Sequence, residues 1–250
     1  LENYITIVFI SYRSKKKILK YIKNIFKNFQ IIIIENSDDK SIINEYNKKN
    51  CEVYLVDNLG FGSSINFARK KVKTEYFIVI NPDIYGIDEN GIKKFFQIAK
   101  ELGNDFSCLG PRYTNIPSKT LKQSNINKEI DILKSISGGM MFFNIKKFDN
   151  LNGFDENFFL YYEETDFAYR GNAVGLKAYQ INSIQVEHKV GTSVEYKDLE
   201  EEKNIQDLCT WHFIWSKYYF FKKHYGSLIS CLYFSPILVR SLINIFYFSF

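Results

Sequence analysis

The chain has 250 residues, 46% of them hydrophobic and 17% aromatic, and a formal net charge of +5. That is enough chain and apolar surface for one α/β domain with a helical appendage, which excludes a disordered or fibrous protein. So small and evenly spread a charge argues against a nucleic-acid partner, while it suits an anionic ligand or an anionic membrane surface.

The N-terminus opens straight into a strand, Tyr4–Ile10, so no signal peptide is expected. Lys15–Phe29 follows with helical spacing of Ile18, Leu19, Ile22, Ile25, Phe26 and Phe29. Ile31–Ile34 reads as a buried strand, Lys40–Lys49 as a polar helix, Val53–Val56 as a third strand and Gly62–Lys71 as a helix. Tyr76–Ile80 is a fourth strand, Asp88 caps a helix to Leu102, and Phe106–Leu109 is a fifth strand. Apolar strands alternating with amphipathic helices predict an α/β fold with a mostly parallel central sheet and flanking helices. Ligands in such sheets bind beyond the carboxyl ends of the strands.

The second half changes character. Thr114–Lys128 reads as a polar surface loop, Ser135–Phe143 as a strand interrupted by Gly138 and Gly139, and Leu151–Tyr162 as aromatic loop. Glu163–Ala173 is a short helix closed by Gly175, and Lys177–Ile181 and Ile184–Glu187 are short strands. Lys203–His224 is a long aromatic helix expected to pack over the sheet, with Trp211 and Trp215 at i,i+4 as a lesser candidate for stacking on an acceptor sugar. These choices place a main domain at residues 1–200 and aromatic helices at 201–250. The tail Ser227–Phe250 is long enough to span a membrane, but Pro236, Arg240 and scattered Ser and Asn make an interfacial helix the better reading; the alternative is packing on the protein's own core. Cys51, Cys108, Cys209 and Cys231 form no paired spacing, so a reducing cytosol is expected, without disulfides or structural zinc.

Four constellations carry chemistry. Asp83 follows a buried strand and Asn81-Pro82; the proline holds Asn81 extended, so Asp83 is presented at the sheet edge, where a carboxylate can hold Mg²⁺ or Mn²⁺. Asn58-Leu59-Gly60-Phe61-Gly62, running on to Asn66, places two glycines ahead of a helix N-terminus, an arrangement open to a phosphate. Glu163, Glu164 and Asp166 crowd a helix start among Phe158, Phe159, Tyr161 and Tyr162, where a carboxylate in an apolar cleft becomes a better base. Arg170, at i+4 from Asp166, is placed to ion-pair with it and leave the glutamates free. His188 ends a strand and is a possible metal ligand.

Taken in order, Asn58–Asn66, Asn81-Pro82-Asp83, Ser137-Gly138-Gly139, Gly153-Phe154-Asp155-Glu156 with Glu163-Glu164-Thr165-Asp166, and His188 with Gly191-Thr192-Ser193 resemble family 2 glycosyltransferases over residues 4–195. The nearest likeness is to rhamnosyltransferase-like bacterial members that build O-antigen or capsule. The resemblance implies a GT-A-like fold and an inverting transfer of a sugar from a nucleoside-diphosphate donor to a glycan or lipid-linked glycan, on the cytoplasmic membrane face. It places Ser11, Tyr12, Glu35, Asn36 and Asp38 against the nucleoside, Asn58–Asn66 and Asn81 with the donor, and Gly138-Gly139 under the sugar and acceptor. Asp83 matches the last acid of the metal motif, whose first acid is here Asn81, and His188 matches a histidine that joins the metal or diphosphate. Glu164 aligns with the usual base, but Glu-Glu replaces the common Glu-Asp, which leaves Glu163 and Asp166 as alternatives. Two other readings are a non-catalytic nucleotide-sugar scaffold and a sugar nucleotidyltransferase. The second is disfavoured because Ser11–Lys16 lacks the glycine-rich loop those enzymes carry.

Overall fold

The computed structural model describes residues 1–46, 50–116 and 128–248. Four parallel strands form one half of the sheet, in the order β3 (Cys51–Leu55), β2 (Gln30–Glu35), β1 (Ile5–Ser11), β4 (Tyr76–Ile80). Crossovers α1 (Lys15–Asn24), α2 (Ser41–Tyr46) and α3 (Phe61–Arg69) connect them. Both faces of β1, β2 and β4 are covered, which is why they read as unbroken apolar runs rather than alternating ones. Ile5, Ile7 and Phe9 pack with α1 on one face; Val8, Ile32 and Ile34 pack with α3 on the other.

After β4 the chain turns through Asn81-Pro82-Asp83 into β5 (Ile84–Tyr85), α4 (Glu89–Glu101) and β6 (Phe106–Tyr113). Asp88 caps α4, its carboxylate accepting the Gly91 N–H at 2.8 Å. β7 is Ile130–Leu133, and β8 (Met140–Asn144) enters between β4 and β6, antiparallel to both. Next come α5 (Ile145–Asn150), α6 (Glu163–Ala173), β9 (Lys177–His188), α7 (Leu199–Tyr225) and α8 (Ser227–Phe248). β9 runs parallel to β6 and antiparallel to β7; its last residue, His188, pairs with Ile84 of β5. That pairing carries His188 to Asp83.

The expected α/β architecture is present, with differences at the joints. Lys177–Ile181 and Ile184–Glu187 are one strand, whose pairing with β6 shifts register between Pro111 and Arg112. The strand expected over Ser135–Phe143 is limited to Met140–Asn144, because Ser137-Gly138-Gly139 forms a turn-like edge segment. Of the expected loop Thr114–Lys128, residues 117–127 lie outside the described residues, as do 47–49 of the expected helix Lys40–Lys49.

The long aromatic helix does not lie over the sheet. α7 packs on the loop ahead of α6, where Tyr219 meets Phe158, His212 stacks on Phe159, and Phe213 meets Tyr161 and Tyr162. Ser216 Oγ donates to the Leu160 carbonyl at 2.8 Å, and Lys223 Nζ reaches Asp155 at 2.8 Å and Asp166 at 2.6 Å. The loop is itself apolar, so it takes the helix face that a sheet would otherwise cover.

Candidate active site

The carboxyl ends of β1 and β2 are organised by one buried acid. Glu35 accepts hydrogen bonds from the Ser11 hydroxyl, from the Arg13 N–H at 3.1 Å and from the Ser37 N–H at 3.0 Å. Its carboxylate is thus committed to holding the strand ends. Asn36 links β2 to α3, accepting from Ser64 Oγ at 2.9 Å. Tyr12 and Asp38 are exposed, and the Arg13 guanidinium lies 5.1 Å from the Tyr12 ring centre. A cavity of about 520 Å³ opens beside them, lined by Arg13, Lys15, Lys16, Asp39, Glu45 and Tyr196 among others.

The glycine loop does its work by close approach. Asn58 Oδ1 accepts the Gly60 N–H at 3.3 Å. Gly60 has φ +107°, and a methyl group there would stand 2.4 Å from the Phe159 carbonyl oxygen. Phe61 N–H donates to that same oxygen at 2.8 Å. Asn66 does not face a ligand. Its amide donates to the Phe154 carbonyl and to Glu156 and accepts the Phe154 N–H, each at 2.9 Å, so it clips the Gly153–Glu156 loop to α3.

At the end of β4, Asp83 is 2% exposed. Its Oδ1 lies 3.3 Å from His188 Nε2 without hydrogen-bond geometry, and Asp83 Oδ1, His188 Nδ1 and Asn81 Oδ1 are all buried without a hydrogen-bond partner. Buried polar atoms are almost always paired, so the unpartnered Asp83 Oδ1 and Asn81 Oδ1 stand out; with the His188 Nε2 at 3.3 Å, a different ring nitrogen from the unpartnered Nδ1, they make a donor set that can take a divalent cation. The donor set fits Mg²⁺ or Mn²⁺. Among the described residues no cluster of three or more His, Cys, Asp or Glu could hold a metal.

The acids at the start of α6 separate into two roles. Asp166 is fully buried and saturated: Arg170 Nε at 2.7 Å holds one oxygen, and Lys223 Nζ at 2.6 Å with His224 Nε2 at 2.8 Å hold the other. The expected Asp166–Arg170 pair is present, and with both oxygens engaged Asp166 drops out of the candidate bases. Glu163 is buried with Oε2 unpartnered. Burial, with Glu164 beside it, holds its carboxyl well above the ordinary carboxylate range. Burial likewise pushes Glu164 up to about 7, against the opposing pull of its own N–H and of Thr165. Thr165 Oγ1 lies 3.3 Å from Glu164 Oε1 and 3.1 Å from Ser135 Oγ, which leads into the Ser137–Gly139 segment. Ahead of the pair, Tyr161 and Tyr162 both have φ near +67°, a left-handed conformation that side chains rarely adopt. No local sequence pattern announces this strain, the Thr165–Ser135 link, or Lys223 and His224 as partners of Asp166.

The two acid groups share one surface. Asn81 N–H donates to the Gly139 carbonyl at 2.8 Å, and Gly139 lies against the His188 ring. A Cβ at Gly138 would stand 3.6 Å from Phe61, and one at Gly62 would stand 3.5 Å from Glu163 Cβ. Asp83, His188, Gly139, Gly138, Phe61, Gly62 and Glu163 thus follow one another across the sheet's carboxyl edge.

Residues 6–179, more than half the chain, match the family model described as Glycosyl transferase family 2. The chain belongs to glycosyl transferase family 2. The chain is 20% identical over 212 residues to the low-salt glycan biosynthesis hexosyltransferase Agl10 of Haloferax volcanii; the alignment covers 74% of this chain and 66% of that protein, so the chain spans just under two thirds of this relative's length. In fold it is similar to the mannosyltransferase PcManGT of Pyrobaculum calidifontis, solved with GDP-Man and Mn²⁺ (TM-score 0.62, 10% identity, 99% of this chain and 81% of that one). It is also similar to TarS of S. aureus, solved with UDP-GlcNAc (TM-score 0.57, 16% identity, 84% of this chain and 66% of that one). These structures share the GT-A-like fold of the family 2 transferase.

Proposed function

We propose that the chain moves a hexosyl residue, with inversion, from a nucleoside-diphosphate sugar to a hydroxyl of a glycan or lipid-linked glycan, with Glu164 as general base. One arrangement supports this reading: an unpartnered buried carboxylate oxygen beside an imidazole and a desolvated glutamate pair on the same sheet edge, connected through glycine contacts. In this reading residues 1–200 are the transferase unit and 201–250 its extension, working on the cytoplasmic face of the membrane.

Ser11, Tyr12, Asn36 and Asp38 receive the nucleoside, with Glu35 holding the strand ends in place. Asn58, Gly60, Phe61 and Gly62 line the path to the diphosphate, and Gly138 and Gly139 leave room for the sugar. Asp83 and His188 would hold the divalent cation, which when bound neutralises charge growing on the leaving diphosphate. Glu164 takes the proton of the acceptor hydroxyl as it attacks the anomeric carbon, a role worth typically ~10²–10⁴-fold in rate. Glu163, deeper and harder to ionise, keeps its proton, so that a single carboxylate charge faces the acceptor. One displacement needs one base, unlike the two-carboxylate hydrolases.

The hexosyl activity in the name of Agl10 and the GDP-Man and UDP-GlcNAc bound by PcManGT and TarS support a hexose donor. Rhamnose, a deoxyhexose, rests on the motif resemblance. The test is a thermal-shift series with UDP, GDP and dTDP, each with and without Mn²⁺. One nucleotide is expected to raise the melting temperature only with Mn²⁺, and Asp83→Ala to abolish the rise. No shift with any nucleotide at millimolar concentration would refute the reading.

A further inference from the structure

α8 is a helix without a lid. Ser230 and Phe234 are buried against α7, while Leu228, Leu232 and Leu238 are 75%, 66% and 62% exposed. Trp211 and Trp215 stack on each other along α7 with ring centres 6.2 Å apart, 57% and 43% exposed. An aromatic run joins the two helices, Trp215 to Tyr218 and Tyr218 to Phe234. So much contiguous exposed apolar surface marks a site that something covers.

Charge says what covers it. From Leu208 to Phe250 the chain has no Asp or Glu, against Lys217, Lys222, Lys223 and Arg240. Lys223 is spent on Asp155 and Asp166, whereas Lys222 and Arg240 are exposed. An apolar face edged by tryptophan, tyrosine and unopposed basic residues matches the headgroup layer of an anionic bilayer. Among the described residues no helix is long and apolar enough to cross a membrane.

We propose that the α7–α8 hairpin is the face by which the protein docks on an anionic membrane, through Trp211, Trp215, Leu228, Leu232 and Lys222. The flank of α7 next to this face grips the loop ahead of Glu163, through Ser216 on Leu160 and Tyr219 on Asp155. Docking therefore holds the base loop beside the lipid, where a lipid-carried acceptor arrives. The docking face does not depend on the reaction proposed above, and its test uses no sugar.

The chain's two tryptophans both lie on this face, so selectively excited tryptophan fluorescence reports on it alone. The full chain is mixed with vesicles of phosphatidylglycerol and phosphatidylethanolamine, or of phosphatidylcholine alone, and followed by emission wavelength and by co-sedimentation. Expected are a blue shift and sedimentation with the anionic vesicles that weaken as salt rises. Lys222→Gln should bind them about fivefold more weakly, and Leu228→Asp with Leu232→Asp should lose binding with the helical circular dichroism unchanged. Failure to bind anionic vesicles overturns the proposal. So does equal, salt-independent binding to phosphatidylcholine. A concentration-dependent dimer that the double aspartate variant abolishes, without vesicle binding, would make a second copy of the chain the occupant.

Discussion

Gly139 lies flat against the His188 imidazole: a methyl group at Gly139 would stand 2.9 Å from both Nδ1 and Cε1 of the ring. Gly139→Ala must therefore displace His188 from Asp83. The expected result is about tenfold weaker nucleotide binding in Mn²⁺, with little change in metal-free buffer. Gly138→Ala, whose added carbon meets Phe61 at an ordinary 3.6 Å, should bind as the parent does. Calorimetric titration of both variants, with and without Mn²⁺, distinguishes the two glycines.

Gly60 is constrained twice, by φ +107° and by the Phe159 carbonyl oxygen 2.4 Å from where its Cβ would be. Gly60→Ala should cost about 3 kcal/mol or more, since strain and a backbone clash add. Gly191→Ala, at φ +80° with nothing within 4 Å, should cost about 1 kcal/mol from strain alone. Urea unfolding of the two variants checks the difference.

Asp166 joins α6 to α7 through Lys223 and His224, with Arg170 of its own helix on its other oxygen. Breaking a buried ion pair by removing one partner leaves uncompensated charge and typically costs about 3–5 kcal/mol. Asp166→Ala is expected in that range by denaturant unfolding. A loss under about 1 kcal/mol would mean that the cluster is not holding the helices together.

How far the sequence reached follows from what each signal depends on. The first half was legible because β1, β2 and β4 are apolar on both faces and the helices between them keep one apolar stripe, both local patterns. β5 and β7 went unseen: two and four residues long, they are strands only because β9 pairs with them. Asp83 and His188 were singled out separately, and their contact is a product of the Ile84–His188 pairing. Asn66 and Asp166 looked like site residues because the motifs contain them. Their side chains are consumed by Phe154 and by Lys223, partners 88 and 57 positions away, a separation no local pattern reports.

The Glu164 carboxyl, raised by burial to about 7, ties activity and stability to the same titration. Ionised, it is a base, so transfer should rise as pH increases through about 7 and level off above. Stability runs the other way. The folded state holds the proton more tightly than the unfolded chain, whose glutamate titrates near 4.5, so stability falls as pH rises between about 4.5 and 7. Glu164→Gln removes that cost of ionisation. At pH 8 it should melt above the parent, on the order of 2–4 °C, with the gap closing toward pH 5. Melting curves at the two pH values decide it.

The most direct test separates binding from chemistry at the two ends of this sheet edge. Sugar release from the donor identified by thermal shift, and its appearance on acceptor, are measured for Glu164→Gln and Asp83→Ala beside the parent. The account predicts that Glu164→Gln binds nucleotide with Mn²⁺ as tightly as the parent yet transfers at least ~10²-fold more slowly, whereas Asp83→Ala loses Mn²⁺-dependent binding. Full transfer by Glu164→Gln in a folded protein would contradict it.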